Sequence, residues 1–167
     1  GGMGGETLKR KLLSLCCAFT LVASMAAVSV VDSQASSDEP MIDGSYLTHD
    51  DESVGYDTKI TRGEDLLTGY SKGVEIGPGK FYAGGSTLAA HTVKEVGVSV
   101  SVERAQKGDD HWTGYAAWHK FNENADRVSS NKMLEVEGGY YYRVCSTHSA
   151  NSDMSSSFTD GVYIEKP

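Results

Sequence analysis

Val93-Lys-Glu-Val-Gly-Val-Ser-Val-Ser-Val-Glu103 carries the clearest pattern in the chain. Successive side chains of a strand point to opposite faces. Val96, Val98, Val100 and Val102 therefore share one face, and Gly97, Ser99, Ser101 and Glu103 share the other. Alternation over that length predicts an antiparallel strand buried on one side. Lys107-Gly-Asp-Asp110 reads as the turn that ends it. His111-Trp-Thr-Gly-Tyr-Ala-Ala-Trp-His-Lys-Phe121 reads as the strand that pairs back, with Trp112, Gly114, Ala116 and Trp118 on one face and His111, Thr113, Tyr115, Ala117 and His119 on the other.

The neighbouring segments supply partners. Val74-Glu-Ile76 is a short strand and Gly77-Pro-Gly79 a turn. Residues 80–89 form a strand expected to break or bulge at Gly84-Gly85. Asn122-Glu-Asn-Ala-Asp126 reads as a polar loop, and residues 128–136 as another strand. Glu137-Gly-Gly139 turns into Tyr140-Tyr-Tyr-Arg-Val-Cys-Ser-Thr-His148, and a last strand over 155–164 is interrupted at Asp160-Gly161. In the tyrosine strand the charge of Arg143 assigns the faces. Arg143, Tyr141 and Cys145 are expected to face solvent, and Tyr140, Tyr142 and Val144 the core. Turns about every ten residues, with no long helix after residue 35, predict an all-β fold. The expected architecture is a small antiparallel β-sandwich of immunoglobulin or fibronectin-III type over residues 71–167. Residues 36–70 are acidic and without period, and are expected to form a partly flexible N-terminal arm.

The chain has 167 residues and a net charge of −8. That length fits one domain. The charge argues against nucleic acid and anionic lipid as partners, since phosphate binding needs a basic face. Lys9-Arg10-Lys11 precedes an apolar run from Leu12 to Val31, followed by Ser33-Gln34-Ala35. This is the layout of a secretory signal peptide cut between Ala35 and Ser36. The mature chain is then extracellular, with no membrane span and Cys145 as a free thiol, and a Cys145-linked dimer is one expected consequence. The leader Gly1-Gly-Met-Gly-Gly-Glu-Thr7 reads as a translated ribosome-binding sequence with the true start at Leu8, which points to a Gram-positive bacterium.

Reactive constellations are sparse. No serine sits in a strand-to-helix elbow, and H-E-x-x-H and C-x-x-C are absent. His111 and His119 share a strand face but stand about 26 Å apart, too far to share a metal. No catalytic residue, metal or cofactor is assigned. Trp112 and Trp118 are expected in the core. Tyr115, Tyr141 and Arg143 are the candidate binding residues.

Met41-Ile-Asp-Gly-Ser-Tyr-Leu-Thr48, Thr61-Arg-Gly63, Gly77-Pro-Gly-Lys-Phe-Tyr-Ala-Gly-Gly-Ser-Thr87, Val136-Glu-Gly-Gly-Tyr-Tyr-Tyr-Arg-Val144 and Ser155-Ser-Ser-Phe-Thr-Asp-Gly-Val-Tyr-Ile164 resemble a family of small secreted Firmicutes proteins, mostly clostridial, known as a domain of unknown function. The resemblance implies secretion and a β-rich fold, and supplies no activity or site residue. The leading expectation is a non-catalytic extracellular module that binds a protein or a glycan. The alternatives are an enzyme acting on cell-wall glycan and a secreted effector or antimicrobial protein.

Overall fold

The structure, a computed structural model, describes residues 40–59 and 63–167. The signal sequence with Cys16 and Cys17, the start at Leu8 and the Ala35–Ser36 cleavage site lie outside the described residues. Ten strands follow in order: β1 (Met41–Ile42), β2 (Ser45–Thr48), β3 (Glu52–Tyr56), β4 (Thr58–Lys59), β5 (Leu66–Gly77), β6 (Lys80–Ala105), β7 (Thr113–Glu135), β8 (Tyr140–Ala150), β9 (Asp153–Phe158) and β10 (Gly161–Ile164). No helix occurs among the described residues, so none is long and apolar enough to cross a membrane.

β6 organises the rest. Its first half, residues 80–89, pairs with β5 on one side and with the far half of β7 on the other. Its second half, residues 96–105, pairs with the near half of β7 and with β8. A register shift between Leu88 and Val93 marks the change of partner. The strand thus bends at residues 89–92, and Gly84-Gly85, expected as the break, sit in regular register. Those two positions are small because of what crosses them. A β-carbon on Gly85 would lie 2.5 Å from Ser146 Oγ. Asn122 to Asp126, expected as a loop, continue β7, with Asn124 taking up the bend at φ 50°.

β8 pairs with β9 through residues 145–150 and with β10 through 140–142. β10 pairs in parallel with β2, and β2 with β1. β3 pairs with β5, and β4, one residue on, pairs with β9. The result is one continuous ten-stranded sheet curled into a half-barrel, antiparallel except at β2–β10. The acidic stretch expected as an arm is largely sheet. Residues 41–59 supply β1 to β4, and the compact unit runs from Pro40 to Pro167 rather than beginning at residue 71. Periodicity gave no hint of this because these strands are only two to five residues long.

The curl wraps one main core. Val96, Val98, Val100 and Val102 are almost fully buried, opposite Ala150, His148, Ser146 and Val144 of β8. Each valine contributes roughly 1.5–3 kcal/mol by leaving water. Phe81 and Ala83 of β6 and Val162 and Ile164 of β10 complete it, and Ala116 and Trp118 pack at its margin. Trp112 is not with them. A register shift at Val102/Glu103 puts it with Ile42, Leu47, Ala105 and Tyr141 in a second, smaller core.

A candidate binding groove on the outer face

The tyrosine strand has no solvent face along its first half. Tyr142 and Val144 are fully buried in the main core, as the alternation requires, and Tyr140 is half-buried. On the other face Tyr141 is only 8% exposed and Arg143 only 5%. Both were expected in solvent. The cause is the chain before residue 50, which folds over them as β1 and β2. Arg143 donates to the Asp43 carbonyl at 2.9 Å and to Ser45 Oγ at 3.0 Å. Its guanidinium lies 4.8 Å from the Trp112 ring centre and 5.8 Å from that of Phe158, within cation–π range. Asp43 and Glu103 oppose its charge at 3.4 and 3.5 Å. Arg143 is thus the pin that fastens the Asp43-Gly44 turn to β8. Burial raises the Tyr141 pKa, with help from neighbouring Tyr163, and its hydroxyl is 3.1 Å from His49 Nε2. Tyr115 is elsewhere: it is 39% exposed and meets Tyr142 edge-on beneath Arg104. The three candidate residues therefore do not form one patch.

Further along the same strands the outer face opens. Residues directly opposite in a ladder present their side chains to the same face. Three such rows cross four strands, β7, β6, β8 and β9. They are Ala117–Ser101–Cys145–Phe158, His119–Ser99–Thr147–Ser156 and Phe121–Gly97–Ser149–Met154. The two middle columns hold only small side chains, and the outer columns carry His119 and Phe121 on one side and Phe158 on the other. The first two rows line a trough of about 630 Å³ with Asp43 and Arg143 at one end, and the third row lies beyond it, where the Phe121 ring covers Gly97. Phe158 lines the trough and is 47% exposed, so its ring stands at the rim rather than in a core, and Phe121, equally exposed, stands beyond the trough. Gly97 is what lets Phe121 lean in: a β-carbon there would be 2.4 Å from its ring.

Cys145 lies on this floor, half-buried, with no disulfide among the described residues. Its thiol donates to Glu103 Oε1 at 3.1 Å. Burial and then the Glu103 carboxylate push its pKa up to about 12. The thiolate, which is the reactive form, is scarce at neutral pH. Iodoacetamide labelling at pH 8 is expected to be at least tenfold slower than for a free cysteine in the unfolded chain. Glu103→Gln, which removes the charge that holds the proton, is expected to speed it. Equal rates folded and unfolded would contradict this geometry, and so would a disulfide-linked dimer on a non-reducing gel.

No G-x-S-x-G nucleophile motif is expected, yet Gly69-Tyr-Ser-Lys-Gly73 has that spelling. It lies mid-strand in β5, with Ser71 fully buried. Ser71 Oγ is within 2.7 Å of the hydroxyls of Ser146 and Ser157. His148 Nε2 is 2.7 Å from Ser157 Oγ, and Nδ1 is 2.8 Å from Thr87 Oγ1. Thr87 donates to the Gly97 carbonyl, which leaves its oxygen free to accept from Nδ1–H. This serine–histidine cluster is sealed from solvent and works as a polar lock between layers. A nucleophile elbow would stand at an exposed strand-to-helix turn. The remaining histidines are scattered: His49 beside Tyr141, His91 on Asp65, His111 on Asp110 and His119 beside Phe121. No three His, Cys, Asp or Glu side chains come together among the described residues in a way that would hold a metal ion. No protein-family model, curated protein or solved structure matches the chain.

Proposed function

We propose that the protein is a secreted, non-catalytic binding module of a Gram-positive bacterium, and that the outer trough between β7 and β9 is its binding site. The observation that carries this is the floor of small side chains, Ser99, Ser101, Cys145 and Thr147, between the exposed rings of His119 on one side and Phe158 on the other. A small-ligand site occupies roughly 300–1,000 Å³, and this trough falls within that range. The carboxylates at its end, Asp43 and Glu103, both face Arg143, which favours holding a ligand over cleaving one. Two arms of sheet facing each other across a valine core support a sandwich-type module of immunoglobulin or fibronectin-III likeness. The apolar run before Ala35 supports export, and the quoted segments support kinship with the clostridial secreted family.

Incubation of the purified protein with insoluble cell envelope of Gram-positive bacteria tests the reading. Retention is expected, and Ser99→Trp, which fills the trough from an exposed position, is expected to reduce it by tenfold or more. Retention that Ser99→Trp leaves unchanged would place the site elsewhere.

A further inference from the structure

We infer that the trough takes a short segment of neutral carbohydrate laid along β6 and β8, an inference that rests on the trough being the binding site. The main chain of its floor offers nothing to a peptide. The second half of β6 is laddered to β7 and β8, and residues 145–150 of β8 to β6 and β9, so a bound chain cannot add as a strand there. Recognition falls to side chains. The floor presents hydroxyls, which both donate and accept, at Ser99, Ser101 and Thr147. The rim presents the exposed rings of His119 and Phe158. A ligand that meets both needs many hydroxyl groups and flat C–H faces, which is the chemistry of a sugar ring. The floor selects no charge, because Arg143 at its end already faces two carboxylates. From Arg143 at its end to Thr147 is four residues along β8, about 13 Å, the span of a short oligosaccharide.

Calorimetric titration of the purified protein with cellotetraose, chitotetraose, xylotetraose and mannotetraose tests this, with a neutral alanine–serine hexapeptide as the competing class. At least one tetrasaccharide is expected to bind, and the hexapeptide is not. Phe158→Ala is expected to weaken that binding about tenfold, the size of one lost aromatic contact. Ser99→Trp is expected to abolish it, and Thr147→Trp fills the same space should Ser99→Trp fail to fold. If no tetrasaccharide binds while envelope retention still depends on Ser99, the carbohydrate inference falls and the groove stands. Preferential binding of the hexapeptide has the same consequence. A tetrasaccharide that binds Ser99→Trp and Thr147→Trp as well as the parent overturns both.

Discussion

Gly69→Ala is expected to cost about 3–5 kcal/mol, enough to unfold a marginally stable domain. A β-carbon at residue 69 would stand 2.3 Å from Cγ of His148, against the body of the ring. That ring is fully buried and held at both nitrogens, by Thr87 at 2.8 Å and Ser157 at 2.7 Å. If the ring moves, a buried imidazole loses its partners. If β5 moves instead, its ladder to β6 is disrupted. Gly114→Ala is the control, because a β-carbon there meets nothing within 4 Å. Urea unfolding of both variants decides the matter. A Gly69→Ala midpoint matching that of Gly114→Ala would mean that β5 and β8 do not approach as closely as described.

His148 itself supplies the second large effect, a loss of stability in acid. Burial lowers its pKa from 6.5 to about 4, although the carboxylate of Asp57 works in the opposite direction. Between those values the unfolded chain binds a proton that the folded chain does not. Stability is therefore complete above pH 6.5, declines as the pH falls, and levels off below about 4. The loss amounts to about 3 kcal/mol, from 1.36 kcal/mol for each unit of pKa shift. His148→Gln is expected to be less stable at pH 7 but to lack this component. Urea unfolding of parent and variant at pH 7, 5.5 and 4 isolates it, since the other titrating groups cancel in the difference. Parallel pH dependence in the two proteins would refute a neutral, buried His148.

Much of the half-barrel was legible where side chains alternate strictly. Val96 to Val102 announced their buried face, and Lys107-Gly-Asp-Asp110 and Gly77-Pro-Gly79 announced turns. Arg143 misled for a physical reason. A guanidinium is usually exposed, yet it is buried where aromatic faces, carbonyls and carboxylates surround it. Those partners, Trp112, Phe158, Asp43 and Glu103, are far apart in sequence and no local pattern connects them. The groove was half legible. Gly97, Ser99 and Ser101 read correctly as an outward column of small residues. Its value as a site depends on which strands flank it, and cross-strand register between β6, β8 and β9 is not written in any one segment. Gly69 makes room for His148 of β8, and Gly73 for Phe81 of β6, contacts that no local pattern announces.

The parallel pairing of β2 with β10 has a consequence for assembly. Leu47 and Thr48 stand beside Gly161 and Val162, across more than a hundred intervening residues. The β5–β6 and β6–β7 hairpins close from local contacts and are free to form early. Apart from its short hairpin with β1, β2 has no strand to lie against until residues 161–164 arrive. A chain still emerging, or stopped short of residue 161, holds the hairpins while its second core stays wet. Quality control that senses exposed apolar surface would read this region as the signature of an incomplete molecule.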